Sequence, residues 1–187
     1  MTLFTPANLL TISRMVLVPV FALCMLYGYP GWALFTFVVA GFTDLLDGAI
    51  ARWTNQQTTL GAWLDPMADK LLLLTMFVML TLPGMGMTYR LPLWLTVLVI
   101  SRDVAIVLTA AVINLAVAPR TFKPSPLGKA ATGIYILTGV VTLWGNYRGL
   151  PGGVLPVFVY LSLAITLLSA ADYLRRVTRV PGDTKQA

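Results

Sequence analysis

Thr43-Asp44-Leu45-Leu46-Asp47-Gly48-Ala49-Ile50-Ala51-Arg52 and, after eight further residues, Gly61-Ala62-Trp63-Leu64-Asp65-Pro66-Met67-Ala68-Asp69-Lys70 decide how this chain is read. Both stretches sit in apolar surroundings, and together they hold four of the seven acidic residues, all of which are aspartates. Asp44 and Asp47 are three apart and share one helix face, and Asp65 and Asp69, four apart, share another. Gly48, Ala51 and Gly61 are small, so a backbone or a ligand can come close beside them. The link between the stretches is short, which predicts antiparallel neighbouring helices with all four carboxylates near one end of the pair. Each charge in hydrocarbon costs at least about 2.5 kcal/mol, and four like charges repel. Compensating cations make the cluster tolerable, and all-oxygen ligands suit Mg²⁺ or Mn²⁺, two of which could clamp a pyrophosphate. Two other readings stand beside this one. The aspartates could form structural pairs with Arg52 and Lys70, or line an ion pathway. Pathway carboxylates tend to spread through membrane depth, whereas these gather at one end.

Outward from the cluster the chain is apolar. Its hydrophobic fraction is 58% and its charged fraction 11%, against about 45–50% and about 25% in soluble domains. A soluble fold of this composition would expose too much apolar surface to water. A membrane span takes about 20 apolar residues, and six segments qualify: 8–27, 32–53, 60–82, 91–118, 126–144 and 154–174. The expected fold is therefore an all-α integral membrane bundle of six transmembrane helices, one domain over residues 1–187 with a basic tail from 175. Residues before Asn8 carry no basic charge and Arg14 interrupts the first apolar run, so that run reads as a membrane helix rather than a secretory signal. Arg52, Arg120, Lys123, Lys129, Arg175, Arg176, Arg179 and Lys185 fall on one side of the expected bundle, and Arg90 and Arg148 on the other. The positive-inside rule places both termini in the cytoplasm. Trp32, Trp53, Trp63, Trp94 and Trp144 lie near helix ends, as an interfacial aromatic belt would. No histidine is present, which removes the commonest side-chain acid/base at neutral pH. Cys24 stands alone, so no disulfide forms within the chain.

The pattern Asp44-x2-Asp47-Gly48-x2-Ala51-Arg52-x8-Gly61-x3-Asp65-x3-Asp69 resembles the signature of the CDP-alcohol phosphotransferases, and six membrane helices fit that family. The resemblance implies metal ligation by Asp44, Asp47, Asp65 and Asp69, with Mg²⁺ or Mn²⁺ as the cofactor in two sites. Asp65 and Asp69 become catalytic residues, Asp69 as the base that takes the acceptor hydroxyl proton. Gly48, Ala51, Gly61 and Arg52 are implied to hold the cytidine nucleotide. Asn8-Leu9-Leu10-Thr11-Ile12-Ser13-Arg14 resembles the opening of the phosphatidylglycerophosphate and cardiolipin synthases. Asn8 and Thr11 are accordingly expected at the nucleotide, and Arg14 with Asn8 could line that pocket or equally meet lipid headgroups. Ile100-Ser101-Arg102-Asp103-Val104 is closer to the mitochondrial-type cardiolipin synthases. The implied donor is CDP-diacylglycerol. The acceptor is phosphatidylglycerol first and glycerol 3-phosphate second. Membrane lipid and a second copy of the chain are the expected partners, and nucleic acid is not.

Arg102 and Asp103 interrupt the fourth apolar segment. A guanidinium there could grip the acceptor's phosphate, or simply pair with Asp103. Lys129 follows Ser125 and Gly128 at the start of the fifth helix, where an anion would meet a helix N-terminus. The alternative for Lys129 is a plain cytoplasmic anchor. Arg120 and Lys123 could draw anionic lipid or form a bland basic loop.

Overall fold

The computed structural model describes residues 6–54, 59–116, 125–151 and 153–178, with side chains over 11–44, 67–109, 125–151 and 153–175. Six helices account for nearly all of it: α1 (Pro6–Leu26), α2 (Pro30–Thr54), α3 (Thr59–Thr81), α4 (Leu93–Ala116), α5 (Pro126–Arg148) and α6 (Val154–Thr178). No strand occurs among the described residues. The all-α expectation holds, and the helices match the six apolar segments to within a few residues. Arg120, Lys123, Arg179 and Lys185 lie outside the described residues.

Local chemistry sets the boundaries. Pro6, Pro30 and Pro126 open α1, α2 and α5, where the missing N–H costs nothing and φ is already helical. Gly28 ends α1 at φ 74°. The Gly28 N–H donates to the Met25 carbonyl at 3.1 Å and the Tyr29 N–H to the Cys24 carbonyl at 2.8 Å. This is the paired bonding of a left-handed glycine cap. Gly149, at φ 86°, ends α5 with a single bond from its N–H to the Gly145 carbonyl at 2.7 Å.

The chain forms two compact units. The first contains α1, α2, α3 and residues Gly139–Leu155, and the second contains Leu93–Thr138 and the chain from Pro156 onward. In the first unit α1 packs against both α2 and α3, through Phe21, Met25, Ala33, Phe37, Leu72 and Met76, all buried. Gly139 admits the Met76 thioether where a Cβ would overlap it. The α3–α4 connection is fastened by amides. The Tyr89 N–H donates to Asn146 Oδ1 at 3.0 Å, and Asn146 Nδ2 donates to the Tyr89 carbonyl at 2.7 Å. The Tyr89 hydroxyl donates to the Leu150 carbonyl and accepts from the Leu150 N–H. These bonds carry α5 past the expected stop at 144.

In the second unit the interhelical contacts are polar. The Tyr135 and Thr166 hydroxyls meet at 2.6 Å, and those of Thr138 and Ser162 at 2.7 Å, both pairs buried. Elsewhere a helical hydroxyl donates back to its own helix, as Thr36 does to Trp32 and Thr81 to Phe77. Such bonding satisfies a polar group that water does not reach. α5 and the stretch Val154–Arg175 are each long and apolar enough to cross a membrane. Large apolar side chains such as Phe35, Phe42, Tyr160 and Leu168 point outward. Trp32 and Trp144 are exposed at the end of the first unit where α2 begins and α5 finishes.

The amide clamp is testable. Asn146→Leu strips the Tyr89 backbone of both partners, which should cost about 1–3 kcal/mol. For a chain of this size that is a fall in Tm of roughly 2–4 °C per kcal/mol, measured by thermal unfolding in detergent.

Candidate active site

Arg14 sits on α1, one turn after the fully buried Thr11, and is itself fully buried. One terminal nitrogen lies 3.0 Å from Asp44 Oδ1 on α2, and the other donates to Asp69 Oδ1 on α3 at 2.5 Å. Two of the four signature aspartates, 25 residues apart in sequence, thus meet on one guanidinium. Both carboxylates remain 42% exposed while the arginine is at 0%. The cation closes the site from behind and the carboxylates face its open side. Arginine stays protonated at any working pH, and a guanidinium inside a bundle is tolerable when it is paired.

Asp47 lies on α2 one turn beyond Asp44, and Asp65 on α3 one turn before Asp69. Gly48, Ala51 and Arg52 lie on α2, Gly61 on α3 and Asn8 on α1. The side chains of Asn8, Asp47, Arg52 and Asp65 are outside those described, as are the surroundings of Gly48, Ala51 and Gly61. Lys70, a suggested partner for the aspartates, is exposed. Arg14, from outside the signature, is a cation that meets both Asp44 and Asp69. Its position within the first apolar helix was the available sequence signal, because a lone charge there needs an opposite charge at its own depth.

A second cluster forms in the second unit. Arg102 on α4 donates to Asp103 Oδ1 at 2.6 Å and to the Ser169 hydroxyl on α6. Its Nε is buried with no hydrogen-bond partner among the described residues. The guanidinium lies beside Gly128 in the first turn of α5, where a built Cβ would stand 3.4 Å from it. Ser125 caps that helix by accepting the Gly128 N–H at 3.0 Å. Arg102 and the α5 N-terminus therefore share one place. Lys129 is exposed there and shows no side-chain ion pair among the described residues. Sequence reasoning missed Ser169. Ser162, Thr166 and Ser169 repeat at helical spacing along one face of apolar α6, which was the signal for it.

A cavity of about 240 Å³ is lined by residues of neither cluster. Met25, Pro30, Met85, Met87, Thr88 and Asn146 line it in the first unit. Pro30 begins α2, so Asp44 lies roughly 20 Å further along the same helix. The charged groups rather than the cavity mark the chemistry.

Helices with no strand among the described residues, two stretches long and apolar enough to cross a membrane, and two aspartates held by one arginine define an apolar helical protein as its class. Residues 4–168 match the CDP-alcohol phosphatidyltransferase family, and the chain belongs to that family. It is 33% identical over 190 residues to a probable phosphatidylglycerophosphate synthase of Mycobacterium tuberculosis, covering 96% of this chain and 85% of that protein. It is 37% identical over 140 residues to a CMP-forming cardiolipin synthase of Streptomyces coelicolor, covering 68% and 60%. A CMP-forming cardiolipin synthase of Rattus norvegicus is 43% identical over 105 residues, or 56% of this chain and 33% of that one. The chain is a phosphatidyltransferase of phospholipid synthesis.

The cap on α5 can be checked by itself. Ser125→Ala should cost about 1 kcal/mol, and Ser125→Asp should restore most of it. Thermal unfolding of the two variants against the parent measures the difference.

Proposed function

We propose that this protein transfers the phosphatidyl group of CDP-diacylglycerol to the primary hydroxyl of phosphatidylglycerol, releasing CMP and forming cardiolipin. The observation that carries the reading is the convergence of Asp44 and Asp69, from two helices, on a single positive charge. Hard oxygen donors already arranged around a cation suit Mg²⁺ or Mn²⁺. Asp44, Asp47, Asp65 and Asp69 would hold two such ions. When bound, the ions supply charge neutralisation at the pyrophosphate and at the departing CMP oxygen.

The residues do the rest. Asp69 takes the proton of the acceptor hydroxyl. The freed oxygen attacks the phosphorus that bears diacylglycerol, and the bond from that phosphorus to the CMP oxygen breaks. Gly48, Ala51 and Gly61 leave room for the cytidine nucleotide, with Arg52, Asn8 and Thr11 beside it. Arg102 and Lys129, at the α5 N-terminus, hold the acceptor's phosphate. The guanidinium's planar set of donors fits a phosphodiester or phosphomonoester. All six helices cross the bilayer with both termini in the cytoplasm, as the basic residues on that side favour. The acyl chains of both substrates then stay in lipid while the nucleotide enters from the cytoplasmic face.

Glycerol 3-phosphate as acceptor is the second reading. It is favoured by the relative named as a phosphatidylglycerophosphate synthase, which matches over nearly the whole chain. Both acceptors bring a phosphate to Arg102, so the choice needs an assay. Purified protein with Mn²⁺ and CDP-diacylglycerol should release CMP with phosphatidylglycerol. Release only with glycerol 3-phosphate would select the second reading, and release with neither would remove both.

Two variants test the residue roles. Asp69→Asn should abolish CMP release, a loss of about 10³-fold or more, while the protein still folds. Near-normal turnover would end the base assignment. Arg102→Ala should raise KM for the acceptor about tenfold or more with little change for the donor. The reverse pattern would move Arg102 to the nucleotide.

A further inference from the structure

Arg14 lies outside the family signature, yet it is the group that joins Asp44 to Asp69. We propose that Arg14 is the resident counter-cation of these two carboxylates, and that it opposes divalent metal for their charge. The inference rests on the metal reading above.

Three observations carry it. The guanidinium reaches both aspartates at once, at 3.0 and 2.5 Å, through separate nitrogens. It therefore fixes the spacing between α2 and α3 at the site with no metal required. The arginine is at 0% exposure and each aspartate at 42%, so an incoming ion arrives on the open side and Arg14 stays behind the carboxylates. Its charge cannot be removed by deprotonation. A fixed positive charge a few ångströms from the ligand oxygens lowers the affinity of a doubly charged ion. The same charge lowers the repulsion between the carboxylates before the ion comes. Arg14 thus holds the site assembled and keeps metal binding weak enough to depend on the substrate's own negative charge.

The test compares full-length protein in detergent with Arg14→Gln and Arg14→Lys. Free Mn²⁺ is followed by electron paramagnetic resonance, and thermal unfolding is measured in EDTA and in Mn²⁺. Arg14→Gln should bind Mn²⁺ about tenfold more tightly than the parent. In EDTA it should unfold roughly 5 °C or more below the parent, and Mn²⁺ should recover most of that loss. Arg14→Lys, whose single ammonium spans two carboxylates poorly, should fall between. Parent-like or weaker Mn²⁺ affinity in Arg14→Gln, with the parent binding normally, would overturn the opposition. Unchanged unfolding in EDTA would overturn the counter-cation role. If Arg14→Gln does not fold even with Mn²⁺, Arg14→Lys decides, and affinity equal to the parent's would count against the proposal. Failure of the parent itself to bind Mn²⁺ would remove the metal reading and the opposition with it, leaving the unfolding comparison in EDTA to judge the counter-cation role.

Discussion

A guanidinium shut inside a helix bundle must be matched by negative charge, and negative charge in an apolar bundle must be matched by a cation. Asp44 and Asp69 answer the first demand, and Arg14 answers the second in part, since one guanidinium faces two carboxylates. Much of the first unit follows from this. α1 has to lie against both α2 and α3 to present one arginine to two carboxylates, and it does. The apolar residues along α1, Phe21 and Met25 among them, bury the same helix further from the site. The charged trio sits at one end and the amide clamp of Tyr89 and Asn146 secures the other. Among the described residues, ion pairs hold the end with Asp44 and Asp69, and bonds from the Asn146 side chain to the Tyr89 backbone hold the other.

The second unit meets a similar demand differently. Arg102 is also mostly buried, but its carboxylate is its chain neighbour Asp103, and its remaining contact is a hydroxyl. A guanidinium offers five donors, and here the bonds to protein use only some of them. The capped start of α5 lies next to it. Positive charge, amide dipoles and spare donors in one place suit an oxyanion. The hydroxyl pairs of Tyr135, Thr138, Ser162 and Thr166 continue the polar line into the apolar part of the unit. In lipid such pairs hold helices together where the hydrophobic effect between them is weak.

The chain belongs to the CDP-alcohol phosphatidyltransferases. In the function proposed above, one cluster would serve the cations and diphosphate of a nucleotide-activated lipid, and the other the phosphate of an acceptor. The chain is similar to relatives named for two different products, phosphatidylglycerophosphate and cardiolipin. The two proposed acceptors are both anionic glycerol derivatives, so under that proposal one arginine site would serve either.

Sequence alone determined the number and type of the helices, because runs of apolar residues broken by Gly and Pro leave the backbone few alternatives in an oily medium. It also marked the aspartates at helical spacing, since an unexplained carboxylate in such a run has to be functional or paired. Tertiary structure alone decided which charges meet. Arg14, at least 30 positions from either aspartate, meets both Asp44 and Asp69. Ser169 reaches Arg102 from 67 residues away. Periodicity reports which face of a helix a residue occupies, but which helix that face meets is a property of packing.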